Sequence, residues 1–182
     1  MIIVKIFGMI LLTDFLAGLI HWWEDAYGNP KWKWFGKAIV IPNIEHHRYP
    51  RKFLKGTTIG RIKFSVLFGL FLLIILYPFV GFSWELIFVL VYGSFGNEIH
   101  AITHRTDKEN GKIICFIQKS GLLQSRRMHG LHHSSPYDCN YCVMTNYLNP
   151  VLTYIRFWER LEIVISWFGI TPIRNNNIRE GV

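Results

Sequence analysis

Eight histidines are the residues of this sequence whose types and spacing could do chemistry. They stand in four groups along the chain, namely His21, then His46 and His47, then His100 and His104, and finally His129, His132 and His133. Positions three and four residues apart share one face of a helix, so the last two groups each present several imidazoles together. Imidazole nitrogens bind iron, copper, zinc and nickel. The spacing therefore predicts metal ligands.

The number of histidines indicates more than one metal ion. A structural zinc site takes about four ligands, so eight imidazoles fit two ions better than one. Soluble di-iron bundles use mostly glutamate with Glu-x-x-His motifs, and this chain lacks that pattern. We predict a histidine-rich two-metal site with about four protein ligands for each ion, to which all eight histidines contribute. Residue types alone do not choose iron over zinc.

Three polar side chains accompany the histidines on predicted helix faces. Asp14, His21 and Asp25 share one face of the first helix, and Asn97 precedes His100 by one helical turn. A carboxylate inside a membrane helix is costly, which makes Asp14 a functional candidate. Metal-bound imidazoles usually donate their other N–H to an acceptor. We therefore expect Asp14, Asp25 and Asn97 to support the ligands, with Asp25 ligating a metal or orienting His21.

Membrane helices are the elements expected to position these histidines. The chain has 182 residues, 51% of them hydrophobic, and is more apolar than an ordinary soluble domain. Its length predicts one domain, 1–182. Segments near 2–23, 64–82 and 85–104 are long enough to cross a bilayer. The predicted fold is an all-α integral membrane bundle of about three to four transmembrane helices with a cytoplasmic histidine-rich metal site.

The remaining segments are predicted to be interfacial helices and loops. Helices near 112–124 and 150–170 are expected to lie at the membrane surface, since the first is short and the second carries several charges. Residues 28–63 and 106–111 are predicted to be loops. A short helix carrying His46 and His47 should end near Tyr49, because Pro50 disfavours helix at the preceding residue. The tail from residue 174 is expected to be polar and frayed.

The placement of positive charge predicts one orientation. The turn between the second and third spans has no lysine or arginine, whereas residues 21–63 have nine and residues 105–133 have six. Because basic loops stay in the cytoplasm, the amino terminus is expected outside and all the histidines at the cytoplasmic face. The chain is thus predicted to be a multi-pass membrane protein, which in a bacterium would lie in the inner membrane. The net charge of +8 favours anionic lipid over nucleic acid as the partner.

The cysteines and the amino terminus indicate a reduced, membrane-retained chain. Three cysteines are too few for a disulfide framework. Cys139-x-x-Cys142 fits a metal or redox site, but two reduced thiols packed in a turn is the favoured interpretation. The amino-terminal segment lacks a small-residue cleavage site, so it is expected to remain as a membrane helix.

The motifs resemble those of the plasmanylethanolamine desaturase family, also described as the Kua-type lipid desaturase domain. The matching elements are Asp14…Gly18…His21-Trp22…Asp25, His46-His47…Pro50, Asn97…His100…His104, His129-x-x-His132-His133-x-x-Pro136, Tyr141-Cys142…Thr145…Asn149 and Phe157-Trp158-x-Arg160-Leu161-Glu162. The last two blocks are the most specific, because general membrane desaturases share histidine boxes but lack that tail. Two stretches depart from the family pattern, at residues 137–139 and 144–146.

The resemblance implies an oxygen-dependent di-iron desaturase, with two iron ions, O2 as co-substrate and a membrane phospholipid as substrate. It also implies that the eight histidines are the catalytic residues, as iron ligands or their immediate shell. Ether-lipid members of the family convert an alkyl ether to the vinyl ether of a plasmalogen, and this reaction is expected first. Plant members place a double bond near the carboxyl end of an acyl chain, which is the alternative. Electrons are expected from an external donor, such as a cytochrome b5-like protein or a ferredoxin, because the chain has no flavin, haem or iron–sulfur motif.

Two interpretations without catalysis stay open from the residues alone. A metal-binding membrane protein, such as a store or sensor, would hold zinc or copper and make no lipid product. A membrane scaffold with surface histidines would keep its metal content when His100 or His132 is replaced by alanine.

Overall fold

The protein is described here from a computed structural model that covers residues 1–174. Arg174, the first residue of the predicted frayed tail, is held by an ion pair with Glu162 and a hydrogen bond to the Tyr141 hydroxyl, and the rest of that tail, residues 175–182, lies outside the described residues. Within residues 1–174 the regular elements are helices, as predicted, and there is no strand. In chain order they are α1 (Ile2–Tyr27), a π-helical turn (Gly36–Val40), α2 (Ile41–Arg48), a 3₁₀ helix (Pro50–Lys55), α3 (Thr58–Val80), α4 (Trp84–Ser94), α5 (Gly96–His104), α6 (Asp107–Ser120), α7 (Arg126–His132), α8 (Leu148–Tyr154) and α9 (Phe157–Ser166).

Three helical stretches in the described part of the chain are long and apolar enough to cross a membrane. They are α1, α3 and the combined α4–α5 stretch, with 26, 23 and 21 residues. At 1.5 Å per residue each exceeds the roughly 30 Å hydrocarbon core of a bilayer. The predicted helical membrane bundle is therefore confirmed. The single domain over 1–182 stays a prediction.

The arrangement of these three stretches brings one set of helix ends together. Lys5 at the start of α1 forms an ion pair with Glu85 at the start of α4, and Thr13 farther along α1 lies beside Gly93 farther along α4, so the two helices run in the same direction. The chain reverses between α3 and α4 at Gly81, whose φ of 64° is a conformation that glycine adopts without strain. The carboxyl ends of α1 and α5 consequently lie near the amino end of α3.

The third predicted span is two helices rather than one. The break falls at Phe95, where ψ is 0°, between Gly93 and Gly96. Glycine is a poor helix former, and the Ser94 hydroxyl donates to the carbonyl of Leu90, which competes with regular helix bonding. Because of this break, α5 takes a direction of its own at the end of the bundle.

Two segments predicted to be loops contain helices. Residues 28–63 include the π-helical turn, α2, the 3₁₀ helix and the first turn of α3. The predicted end of α2 is confirmed, since Tyr49 leaves the helix before Pro50. Residues 107–110 form a helical turn closed by a capping box between Thr106 and Glu109, and Gly111 then interrupts α6 with a φ of 71°. A Thr-x-x-Glu signature was the signal for that turn.

The predicted helix at 150–170 is also divided. Arg156, with a φ of 52°, separates α8 from α9, and this stretch is not among the membrane-length helices of residues 1–174. Trp158 is buried and stacks on Trp22 of α1, with ring centroids 5.8 Å apart. Burial of this tryptophan packs α9 onto the bundle.

The irregular segment between α7 and α8 passes through the core beside α1. Cys142 is fully buried against Gly18, where an added Cβ would lie 2.8 Å from the cysteine sulfur. Only a glycine permits this approach, which explains its place in the first motif. The contact fixes the segment that follows α7 against the helix that carries His21.

Candidate metal centre

All eight histidines predicted as site residues converge at one end of the bundle. Among the described residues, they form two groups of potential metal ligands with the carboxylate of Asp25. The five-histidine group contains His46, His100, His104, His129 and His133, and the Asp25 group contains His21, Asp25, His47 and His132. Within each group the potential ligand atoms all lie within 4.8 Å of one another. Their role as metal ligands stays a prediction.

Helix geometry divides neighbouring histidines between the two groups. His46 and His47 are adjacent on α2, so their side chains diverge by about 100° and enter different groups, as expected. At the end of α7, His129 and His133 are four residues apart and share the five-histidine group, whereas His132 enters the Asp25 group. One short helix thus contributes to both sites.

The five-histidine group has a regular arrangement of Nε2 atoms. Four of them form a closed ring, with distances of 3.1 Å for His46–His100, 2.8 Å for His100–His129, 2.9 Å for His129–His133 and 3.2 Å for His133–His46. The Nε2 of His104 lies 3.1 Å from that of His46, 3.2 Å from that of His100 and 2.9 Å from that of His129. It therefore lies against three of the four ring atoms.

These spacings fit ligands around a metal ion better than a hydrogen-bond network. A metal–nitrogen bond of about 2.1 Å would separate neighbouring octahedral ligands by about 3.0 Å. Each Nε2 carries at most one hydrogen, so five such atoms cannot make seven short contacts that are all hydrogen bonds. The five nitrogens would fill five positions of an octahedron and leave the sixth for another ligand.

The Asp25 group is built around one buried carboxylate. Its Oδ1 lies 3.1 Å from the Nε2 of His47, and its Oδ2 lies 3.3 Å from the Nε2 of His132 and 3.8 Å from that of His21. The amide of Asn43 donates to Oδ1 over 2.6 Å. Asp25 thus lies among the potential ligands, and three imidazoles with one carboxylate make a donor set that suits a second ion.

The orientation of His132 is set by a backbone contact. Its Nδ1 lies 2.9 Å from the carbonyl oxygen of Cys139, so Nδ1 carries the hydrogen and donates it. The lone pair of Nε2 then points toward the Asp25 group. Such a bond fixes both the tautomer and the ring plane of a ligating histidine.

Burial favours the neutral form of three imidazoles of the five-histidine group. It is the main cause that lowers the pKa of His46, His129 and His133, and neighbouring imidazoles lower these pKa values further. Neutral imidazole is the form that binds metal. The site is therefore prepared to accept a cation at neutral pH.

The pair Cys139 and Cys142 stands apart from both groups in the part of the chain that the structure describes. Both thiols are free, and burial raises the pKa of each, which disfavours the reactive thiolate. The favoured interpretation of two reduced thiols packed in a turn agrees with this geometry.

Asp14 and Asn97 occupy places other than the predicted ones. In the described chain neither belongs to a histidine group. The carboxylate of Asp14 accepts hydrogen bonds from the backbone N–H groups of Met144 and Thr145, at 2.8 and 3.0 Å, and from the Thr145 hydroxyl at 2.6 Å. Asp14 shares a helix face with His21 but lies about 10 Å before it along the helix axis. A shared helix face was therefore not enough to place Asp14 beside the histidines.

Asn97 joins two helices instead of supporting a histidine. Its amide donates to the carbonyl of Arg61 and to the hydroxyl of Ser65, which ties α5 to α3. Asn97 shares a helix face with His100, but its partners lie on α3 and depend on how the two helices pack.

Two residues beside the site escaped the sequence analysis. Glu98 accepts 2.7 Å bonds from Arg61 and Arg105 and so holds the first turn of α3 against α5. Phe53 packs its ring on those of His46 and His100, with centroids 5.1 and 5.5 Å away. A charged residue two positions before His100 was the available signal for Glu98, and nothing in the local pattern indicated Phe53.

Comparisons with known proteins agree on a family. A family model described as the lipid desaturase domain matches residues 10–175. A "probable fatty acid desaturase" of Acanthamoeba polyphaga mimivirus is 32% identical over 89% of this chain and 82% of its own length. Plasmanylethanolamine desaturase 1 of Mus musculus is 31% identical over 94% of this chain and 66% of its length. The chloroplastic fatty acid desaturase 4 of Arabidopsis thaliana is 32% identical over 89% of this chain and 51% of its length. No solved structure matches.

Proposed function

Since the chain belongs to the lipid desaturase domain family, we propose that it is a di-iron, oxygen-dependent enzyme that converts an alkyl ether phospholipid to a vinyl ether. The observation that supports this most directly is the pair of adjacent ligand groups, with five imidazoles in one and three imidazoles with Asp25 in the other. Nitrogen-rich donor sets with few carboxylates suit iron that reacts with oxygen. Membership of the family makes the chain an oxidoreductase that acts on membrane lipid.

In this proposal the bound iron supplies the oxidising power needed to remove two hydrogens from adjacent carbons. Oxygen accepts those hydrogens together with two electrons and two protons from outside, so that one alkene and two water molecules form. The five-histidine group would hold one ion and the Asp25 group the other. Asn43 and the carbonyl of Cys139 keep Asp25 and His132 in place while the lipid is oxidised.

An external donor and a cytoplasmic site complete the proposal. The sequence has no flavin, haem or iron–sulfur motif, so a cytochrome b5-like protein or a ferredoxin would deliver electrons. Most of the basic residues lie in the two segments on the histidine side of the bundle, 21–63 and 105–133, which supports a cytoplasmic metal centre. In a bacterium the membrane would be the inner one.

Acyl desaturation of a phospholipid near the carboxyl end is the second candidate. The mimivirus and Arabidopsis relatives are named fatty acid desaturases, and they are as similar to this chain as the mouse ether-lipid enzyme. This chain also spans only about half to two thirds of the plant and mouse relatives. Both candidates place the reactive carbons near the headgroup end of a lipid chain.

Lipid profiling tests the proposed reaction. The chain would be expressed in cells that contain alkyl ether phospholipids and make no plasmalogen, with His132→Ala as the control. Acid-labile vinyl ethers in the wild-type sample alone are the expected result. A new acyl double bond without vinyl ether would favour the second candidate. No lipid change from protein that holds zinc or copper would favour the metal store.

A further inference from the structure

A large open cavity lies directly against the five-histidine group. Its volume is about 890 Å³, within the range of small-molecule sites in proteins. His104, His129 and His133 form part of its lining. One wall comes from residues 48–55 and another from α7. The cavity therefore connects the metal centre to the outside of the protein.

The lining of this cavity is strongly basic. It includes one carboxylate, Glu109, and the five cationic side chains Arg48, Arg51, Lys52, Lys55 and Arg126. Glu109 is occupied by Arg51, whose two terminal nitrogens donate to it over 3.2 and 2.8 Å. Lys52 pairs with Glu45 at 2.7 Å. The lining therefore carries more positive charge than its single carboxylate, Glu109, can neutralise.

Three of the cations remain available for a ligand. Within residues 1–174, Arg48, Lys55 and Arg126 have no carboxylate partner. Arg48 instead lies over the ring of Tyr49, with its guanidinium carbon 5.3 Å from the ring centroid. One guanidinium group can donate two parallel hydrogen bonds to two phosphate oxygens, and a lysine ammonium adds a point charge. Cations around one concave space are therefore arranged for a compact anion.

The rest of the lining suits the part of an amphiphile next to that anion. Tyr49, Pro50 and Leu54 contribute apolar surface to the same lining as the cations and the histidines. In a phospholipid, the phosphate is only a few bonds from the first carbons of the ether or acyl chain. An anion held among the cations would place those carbons beside the five-histidine group.

We propose that this cavity binds the phosphate group of the phospholipid substrate and so sets which carbons reach the metal centre. The inference rests on the proposed function and deepens it, since it applies to ether and acyl substrates alike. Two consequences follow. Lipids without phosphate, such as diacylglycerol, should bind weakly, and inorganic phosphate should compete with phospholipid.

The test compares two double variants of equal charge. Lys55→Gln with Arg126→Gln removes two unpaired cations from the cavity. Lys31→Gln with Lys33→Gln removes two exposed cations that do not line it. Purified full-length protein in detergent, with equal metal content in all samples, would be mixed with dioleoyl phosphatidylethanolamine or dioleoylglycerol. Retained lipid would be measured by native mass spectrometry.

The cavity variant should retain about tenfold less phospholipid than wild type, because it loses two charge-assisted contacts to phosphate. The control variant should stay within about twofold of wild type, and dioleoylglycerol retention should be the same in all three proteins. Inorganic phosphate should displace phospholipid from wild type. If inorganic phosphate binds without displacing the lipid, the cavity is a site for free phosphate and the inference is wrong.

Equal phospholipid retention in the two double variants would overturn the inference. So would a cavity variant that retains lipid normally yet loses turnover only when a protein supplies the electrons, since the cavity would then be a donor-docking site. Because retention requires no turnover, selective binding without any desaturated product would contradict the proposed reaction and leave the phosphate site standing.

Discussion

At the scale of the residue, two aspartates on one helix face have different roles. Asp25 lies among three imidazoles, with oxygens 3.1 to 3.8 Å from their Nε2 atoms. Asp14 instead accepts three hydrogen bonds from residues 144 and 145. The first is placed to hold a metal, and the second holds a buried segment against α1. The two residues are of one type and share a helix face, so only their partners in the structure distinguish their roles.

Replacing each aspartate by asparagine should separate the two roles. Asp25→Asn removes the charge from the Asp25 group, so we expect iron per protein to fall by about half, with desaturation lost. Asp14→Asn should keep most of the iron but lower the unfolding temperature, because a buried charge-assisted hydrogen bond is lost. Metal analysis and thermal unfolding in detergent measure both effects. Equal iron loss in the two variants would contradict the assignment.

Single residues also orient the ligands through backbone contacts. The His132 ring depends on the carbonyl of Cys139, which no side-chain substitution removes, so Cys139→Ser should leave metal content within about 20% of wild type. A thiolate ligand at this position would predict a large loss instead. Elemental analysis of the purified variant decides between the two, and His132→Ala is the control that should lose metal.

At the scale of the element, close contact between α1 and the segment after α7 stabilises the site. A Cβ at Gly18 would lie 2.8 Å from the sulfur of Cys142 and 3.2 Å from its backbone, whereas one at Gly8 on the same helix meets nothing within 4 Å. Since the added Cβ would also meet the backbone of Cys142, a rotation of the cysteine side chain would not relieve the contact. The small residue therefore sets how near the two elements approach.

Alanine at these two glycines is a matched pair. Gly18→Ala should destabilise the fold by about 1–3 kcal/mol through overpacking, and Gly8→Ala should leave stability unchanged or slightly raised, because alanine favours helix. Thermal unfolding in one detergent provides the comparison. If the Gly18→Ala protein were as stable as the Gly8→Ala protein, α1 and residue 142 would be less closely packed than the structure shows.

At the scale of the whole molecule, the parallel course of α1 and α4 brings all histidine-bearing helix ends to one side. The turn between α3 and α4, at Gly81, lies at the opposite end with the Lys5–Glu85 pair. Because the basic segments are on the histidine side, the orientation of the bundle in the membrane also determines on which side of the membrane the metal centre lies.

Cysteine labelling tests that orientation. In a Cys115→Ser background, Phe82→Cys in the turn should react with a membrane-impermeant maleimide on intact cells. Lys33→Cys should react only after the membrane is permeabilised. Both positions are exposed in the structure, so access depends on the side of the membrane. The reverse labelling pattern would place the metal centre on the outer face.

The sequence by itself determined the features that depend on short spacing. Apolar length identified the three spans, and i/i+4 spacing placed His100 with His104 and His129 with His133 in one group. The adjacent pair on α2 was correctly divided between the two groups, whereas His132, three residues after His129, enters the Asp25 group and not the group of its neighbours. These predictions hold because helical periodicity is a local property of the chain. The motif resemblance to lipid desaturases agreed with the family shown by the comparisons.

Only the tertiary structure decided how the ligands are grouped and what supports them. The five-to-three division of histidines, the place of Asp25 within a group and the bond from residue 144 to Asp14 all join residues far apart in sequence. Contacts across 100 or more residues depend on how whole helices pack, and no local pattern encodes that packing.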